Sequence, residues 1–339
     1  MRILLWHVHG GWTDAFVRGE HQYLLPTSPD RDGWGLGRGG RDWPPNAVEV
    51  PLEELRSADL DAVLLQRTDE LDAVERLTGR RAGIDVPAVF VEHNTPRGDV
   101  PNSVHPLADQ RDIPIVHVTH VNRMLWDGGR APTLVVEHGV ADPGHLYTGE
   151  LERIGVVVNE PVRRWRVTGT DLLPGFADVA PLDVFGMGAE ALPEALELDR
   201  DRLRIEGDVP TSRLHRELAR RRLYLHPMRW TSLGLSLLEA MHAGMPVVAL
   251  DATEASRAVP PEAGLVSADL DALHAEARAL MQDPDLARRK GDAARAHALA
   301  HYGLAAFHAR WDAVLADLID EHAHRRSLRA TGSSGRESR

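Results

Sequence analysis

The run from Arg222 to Leu250, RLYLHPMRWTSLGLSLLEAMHAGMPVVAL, constrains the fold more than any other part of the chain. It reads as strand, loop, helix, turn and strand. Leu223, Tyr224 and Leu225 form an apolar run that stops at Pro227, which has no N–H to give a central ladder. Thr231 or Ser232 is the expected cap of the helix that follows, along which Leu235, Leu238, Glu239 and Met241 fall at helical spacing. Gly244 is placed to end that helix in a left-handed conformation, and Pro246 prevents its continuation. Val247 to Leu250 then reads as a buried strand.

Such a crossover can bind a ligand at its turn. Ser232, Leu233, Gly234 and Leu235 would present free backbone N–H groups at the positive end of the helix dipole, a natural phosphate site. Gly234 removes a side chain that would keep the ligand off that backbone. Glu239 lies about one turn further in, where a carboxylate can hold the hydroxyls of a sugar or ribose. On physics alone, a capped crossover with a solvated Glu239 is equally compatible with these residues.

The same segment resembles the signature of retaining, nucleotide-sugar-dependent glycosyltransferases of the GT-B fold. The resemblance rests on Pro227, Gly234-Leu235, Glu239-Ala240-Met241, Gly244 and Pro246-Val247-Val248-Ala249, all in register with the family pattern. It departs at Thr231, where the family carries a first Glu eight positions before Glu239. What it implies is two Rossmann-like, doubly wound α/β domains facing each other across a cleft. A sugar would pass from a nucleoside-diphosphate sugar to an acceptor hydroxyl with retention of configuration. No cofactor is implied beyond the nucleotide sugar as substrate.

Length and composition agree with that outline. A chain of 339 residues holds about two domains of ordinary size. Its net charge of −12 argues against nucleic acid as a partner, since binding a phosphate backbone needs a basic face. The absence of cysteine excludes disulfides, thiolate catalysis and cysteine-ligated zinc. No apolar run is long enough to span a bilayer, and Met1-Arg2 leads straight into the strand-like ILLW. The expectation is a cytoplasmic protein with no signal peptide and no integral membrane segment.

The first domain is expected over residues 1–148. Ile3 to Val8 reads as a strand running into His9, Gly10 and Gly11, a glycine pair that lets backbone approach a ligand at the sheet's carboxyl edge. A tight strand-to-helix turn explains the pair equally well. His7 and His9 share a strand face there but lack further metal ligands. Residues 30–45 form a loop rich in Gly, Asp, Arg and Pro, expected to be mobile or lid-like. Within it Gly35, Gly37 and Gly40 match G-x-G-x-x-G, but no strand precedes them and no helix follows. Asp59-Leu60-Asp61 precedes a strand (Ala62 to Leu65) instead of following one, so it reads as a solvated turn and not a metal site. Pro87 to Val91 is a strand that delivers Glu92 and His93 at its carboxyl end. His93 is a candidate general acid/base, with a structural histidine as the alternative; the resembled family commonly has a His in this region, near the acceptor. His117 and His120 have a possible metal spacing that strand-to-loop geometry does not converge. Glu137-His138-Gly139-Val140 resembles the family's closing element of this domain.

A second domain is expected over residues 149–302, beginning with a strand at Ile154 to Val158. Arg163, Arg164 and Arg166 crowd the loop that follows, where the family keeps an Arg and a Lys for the donor diphosphate; the Lys position holds Thr168. Guanidinium groups suit phosphate, although a solvated basic run is the alternative. Gly207 opens a loop that resembles the nucleobase wall. A helix over 303–322, with Phe307, Trp311, Val314, Leu315, Leu318 and Ile319 on one stripe, is expected to cross back to the first domain. Residues 323–339 are expected to be a disordered tail.

The expected site therefore has His93 and Glu239 in catalysis. Gly10, Gly11, the three arginines, Gly207, Thr231 and Ser232 to Leu235 join Glu239 on the donor, with no metal; the acceptor is left unspecified. An epimerase or phosphorylase of the same fold, and an inactive nucleotide-sugar-binding protein, remain the alternatives.

Overall fold

Short apolar runs build two separate parallel sheets in this computed structural model, which describes residues 1–334. The first sheet contains β1 (Arg2–Leu5), β2 (Gln22–Thr27), β3 (Ala47–Pro51), β4 (Ala62–Leu65), β5 (Ala88–Glu92), β6 (Ile115–His117) and β7 (Thr133–Val135). Their spatial order is β3-β2-β1-β4-β5-β6-β7, so the direction of winding reverses between β1 and β4. Helices on both faces bury β4 and β5 completely, which is why these strands read as unbroken apolar runs.

β2 and β3 were not legible as strands. Pro26 interrupts the first, but the pairing with β1 ends at Leu4 opposite Leu24, so Pro26 withholds no N–H from that ladder. β3 is an edge strand with mostly half-buried residues.

The second sheet contains β8 (Leu151–Val157), β9 (Leu182–Phe185), β10 (Leu203–Gly207), β11 (Arg221–His226), β12 (Val247–Leu250) and β13 (Gly264–Ser267). The order is β10-β9-β8-β11-β12-β13, with the reversal between β8 and β11.

Contacts divide the chain into one unit of Met1–Gly139 together with the chain from Leu304 onward, and a second of Val140–Gly303. The division thus falls at Gly139, ahead of the 148 expected from the Gly- and Pro-containing linker. Val140 to Thr148 is tied into the second unit: Val140 N–H donates to the Tyr302 carbonyl at 2.8 Å, and Leu146 and Tyr147 N–H both reach the Ala243 carbonyl at 3.0 Å.

The last helix, Leu304–Ser334, supplies Phe307, Trp311, Leu315 and Leu318 to the core of the first unit, around Trp12 and Phe16. The Trp311 ring meets Trp12 edge-on at 5.7 Å and Phe16 at 5.2 Å between centroids. Truncating a buried aromatic of this kind costs about 3–5 kcal/mol. The helix also corrects the expected tail. It continues beyond residue 322 because His322 Nε2 lies 3.0 Å from the Ile84 carbonyl, while Arg325 and Arg329 pair with Asp112. Residues 335–339 of the expected tail lie outside the described residues.

Candidate functional site

In the second unit the reversal between β8 and β11 sets two loops side by side at the carboxyl edge of the sheet, where open α/β sheets bind ligands. The loop after β11 leads into the helix Leu235–Ala243, whose N-cap is Gly234 with φ −70° and ψ 121°, and no side chain caps it. This corrects the capping role expected of Thr231 or Ser232. The chain stays non-helical through Gly234, so both side chains lie too early to reach the first-turn N–H groups. Among the described residues, none accepts a hydrogen bond from the backbone N–H of Ser232, Leu233, Gly234 or Leu235.

The floor beneath this helix start is polar but uncharged. Tyr224 Oη lies 2.9 Å from Ser236 Oγ, and burial pushes the His226 imidazole down to about 4. The positive end of the helix suits an incoming anion. Gly234 is required by space: a Cβ there would stand 2.6 Å from Cε1 of His226. Glu239 lies one turn further on and is partly exposed, with Oε2 3.4 Å from Nε2 of His215 on the helix Thr211–Leu218. His215 was not legible as a neighbour of Glu239, because the approach is made between helices.

The loop after β8 is built from strained backbone and internal bonds. Glu160 (φ 53°) and Trp165 (φ 34°) bracket the single-turn helix Pro161–Arg164. Arg163 pairs with Glu160, and Arg166 reaches Asp171 Oδ2 at 3.0 Å, so two of the three expected phosphate arginines already have carboxylates beside them. Both are more than two-thirds exposed, and such pairs exchange readily for a better anion. Arg164 ends the short helix.

Thr168, in the place of the family's Lys, is buried. Its Oγ1 donates to the Trp165 carbonyl at 3.0 Å and sits 2.9 Å from Thr170 Oγ1, which in turn donates to the Pro161 carbonyl at 2.9 Å. That residue shapes the loop and brings no charge. Arg229, not singled out in the sequence, fastens the two loops together. Its guanidinium grips Asp171 at 2.5 and 3.0 Å, and its N–H donates to the Val167 carbonyl at 3.0 Å. Gly207 (φ 77°) ends the edge strand β10, two strands away from the reversal, beside a cavity of about 630 Å³ lined also by Arg200, Arg204 and Glu206.

In the first unit Gly10 and Gly11 are the opening residues of the helix Gly10–Phe16, after β1. His7 and His9 lie beyond that strand, which ends at Leu5 and not at Val8. His93, after β5, is buried among rings: His9 at 4.0 Å and Trp12, edge-on, at 5.1 Å. Burial first, then the neighbouring His9 and His138, push the His93 imidazole well below its ordinary range. His138 is held at about 4, chiefly by burial. Among the described residues, His93 Nε2 and both ring nitrogens of His138 have no hydrogen-bond partner.

Glu92 fixes the turn that presents His93. Its Oε1 accepts from Asn94 N–H at 2.7 Å, and its Oε2 lies 3.1 Å from Nε2 of His105. Because His105 Nδ1 accepts from Leu107 N–H, the proton is on Nε2 and donates to Glu92. The sequence singled out His93 as a candidate; the gathering of His9, His105 and His138 near it was not legible, since nothing in the spacing brings them together.

These buried neutral imidazoles imply a pH dependence. His117 and His138 titrate near 4 when folded and near 6.5 when unfolded, so below 6.5 the unfolded chain binds more protons. Stability is therefore complete above about 6.5 and is lost as pH falls toward 4, at up to about 1.4 kcal/mol per pH unit for each histidine. Melting curves at pH 7.5, 6.0 and 5.0 should show a steepening fall; a flat profile would mean these rings take up protons in place.

Among the described residues no group of three or more His, Cys, Asp or Glu is arranged to hold a metal ion, and no helix is long and apolar enough to cross a membrane.

Two parallel-sheet α/β units with these strand orders define the GT-B class of folds. Sucrose-phosphate synthase from Thermosynechococcus elongatus is similar over 95% of this chain and 100% of its own, with a TM-score of 0.68 at 15% identity. HepE from Anabaena, in complex with UDP and glucose, matches with a TM-score of 0.68 at 14% identity over 93% of this chain and 98% of its own. A glycosyltransferase from Rickettsia africae ESF-5 gives 0.64 at 12% over 94% and 98%. At such identities the likeness is one of fold. Family evidence comes from the sequence: residues 173–283, all within the second unit, match the family described as Glycosyl transferases group 1. No curated protein matches the chain.

Proposed function

We propose that this chain is a retaining glycosyltransferase that moves a sugar from a nucleoside-diphosphate sugar to an acceptor hydroxyl without a bound metal or other cofactor. The observation that carries the reading is the uncapped start of the helix Leu235–Ala243. Among the described residues none accepts from the N–H groups of Ser232 to Leu235, and Glu239 follows one turn later, inside the segment that matches the glycosyltransferase family. The donor diphosphate would lie on Ser232 to Leu235, its charge further offset by Arg163, Arg164 and Arg166. Glu239 would hold the sugar hydroxyls. His93, neutral at physiological pH, would exchange a hydrogen bond or a proton with the acceptor, and Gly10 and Gly11 would allow close backbone approach. Gly207 would border the base.

A second reading, binding without turnover, has one observation in its favour. Thr231 and Thr168 stand where the family has a Glu and a Lys, and Thr168 is spent on the loop's internal bonds.

HepE structures hold UDP, UDP with glucose, or UDP-glucose, which puts uridine donors first in a test. Thermal shift with nucleoside diphosphates should stabilise the chain by about 2.7 kcal/mol at a hundredfold excess over Kd. Transfer from the matching sugar donor should survive exhaustive chelation. Silence with every nucleoside diphosphate would overturn the donor site, and an absolute need for manganese or magnesium would overturn the metal-free mechanism. Binding with no turnover over a broad acceptor panel would select the second reading, and turnover of donor without an acceptor would point to an epimerase or phosphorylase.

A further inference from the structure

The connection between β2 and β3 has no task in the reaction proposed above. Sequence composition suggested a mobile lid, yet its path is set residue by residue. Arg31, Gly37, Gly39 and Gly40 all take left-handed φ values, of 51°, 59°, 57° and 75°. Ser28 N–H donates to the Gly35 carbonyl at 3.0 Å, and Gly37 N–H to the Pro26 carbonyl at 3.0 Å. The loop folds over β3 and leaves a cavity of about 600 Å³ lined by Arg31, Leu36, Arg38, Gly40, Arg41 and Glu49. Space around Gly40 is open: a Cβ there would meet nothing within 4 Å.

The charges lining this cavity do not balance. Glu49 is its one carboxylate, already committed to Arg31 Nη1 at 2.5 Å, Arg31 Nη2 at 3.1 Å and Arg38 N–H at 2.8 Å. Arg38 spends Nη2 on the Trp43 carbonyl and keeps the rest of its fork. Arg41 has no carboxylate partner among the described residues, and its guanidinium lies so close over Gly10 that a Cβ on that glycine would overlap it. Three guanidinium groups against one carboxylate leave a surplus of two positive charges, in a chain whose net charge is −12. Arginines crowded without counter-charges repel one another, and a built cavity with that surplus suits an oxyanion.

We propose that this cavity binds the phosphate of the acceptor, which is therefore a small phosphomonoester, a sugar or polyol phosphate. The inference rests on the glycosyltransferase reading, because it takes Gly10 to be part of the substrate site. A phosphomonoester carries a charge of about −1.5 to −2 near pH 7 and matches the surplus of two, whereas a carboxylate would leave one guanidinium uncompensated. The volume lies within the range of about 300–1,000 Å³ of small-molecule sites, which suits a monosaccharide phosphate. Arg41, shared between the cavity and Gly10, would set the distance from the phosphate to the reacting hydroxyl.

Calorimetric titration of the full chain, in the presence of its nucleoside diphosphate, tests this. The probes are hexose 6-phosphates and inositol monophosphate, each beside its dephosphorylated parent, together with inorganic phosphate. At least one phosphomonoester should bind tenfold or more tightly than both its parent and inorganic phosphate. Arg38→Ala/Arg41→Ala should weaken that ligand roughly tenfold to a hundredfold while nucleoside-diphosphate affinity stays within about twofold. Arg41→Gln, which breaks no ion pair, serves as the second variant should the double one fail to fold. The proposal is overturned by equal binding of phosphorylated and parent sugars, by inorganic phosphate binding as tightly as any ester, or by unchanged affinity in Arg41→Gln. Loss of nucleoside-diphosphate binding by the unmutated chain would instead count against the donor site.

Discussion

Glu239→Ala should lower turnover by about a hundredfold or more, close to 3 kcal/mol at the transition state, with the protein still folded. The side chain is partly exposed and its Oε2 lies 3.4 Å from Nε2 of His215, so removing it leaves no buried charge unpaired and little packing is lost. Its value would then lie almost wholly in substrate contact. Thr231→Ala should cost less than about tenfold, because Thr231 neither caps the helix nor carries charge. Paired kinetics and melting curves on the two variants with the true donor decide the matter. Large and equal losses in both would mean that Thr231 performs the work of the carboxylate missing from its position. His215→Ala gives a further reading: a fall in kcat with unchanged melting would show that the imidazole orients Glu239.

The largest structural effect is expected at Gly169. Its φ of 71° lies in the left-handed region, and a Cβ built there would fall on the Pro227 carbonyl, a backbone atom that cannot swing aside. Gly169→Ala should therefore destabilise by about 3 kcal/mol or more, the backbone strain and the overlap acting together. Gly144→Ala is the control. It has the same sign of φ, at 92°, but nothing stands within 4 Å of its Cβ position, so strain alone should cost about 1 kcal/mol. Denaturant melts of both variants separate the two contributions. Because the overlap is with the loop that precedes the N–H cluster, Gly169→Ala should also weaken nucleoside-diphosphate binding where Gly144→Ala does not. Equal destabilisation would mean that the Pro227 loop yields freely, and that the junction made by Arg229, Asp171 and Gly169 is not rigid.

The sequence made the second unit legible where local chemistry and tertiary role coincide. Val247 to Leu250 is a strand because both faces are covered, and Gly244 (φ 90°) stops the helix as its position suggested. Where neighbours far along the chain decide, the residues are silent. Gly234 is the cap because His226 fills the space a side chain would need, and the fate of Thr168 depends on carbonyls of Pro161 and Trp165 aimed at it by strained backbone. In the first unit His93 stood out at the end of an apolar strand. Its ring neighbours His9 and His138 come from the ends of other strands, and only the sheet order brings them together. The final helix outran its expected end because single long-range partners, above all Asp112, outweigh a polar composition.

The discontinuity of the first unit has a consequence for how the protein is made. A ribosome releases Met1–Gly139 early, but the aromatic plug of that unit, Phe307 and Trp311 with Leu315 and Leu318, emerges only after all of Val140–Gly303. The uninterrupted second unit has every strand of its sheet and its whole apolar core available by then. Synthesis order is thus inverted in folding order: the unit begun first is completed last, and until then Trp12 and Phe16 lack the side chains that cover them. Such a nascent chain depends on chaperone shelter or rapid completion, since exposed apolar surface is what drives aggregation of partly made proteins.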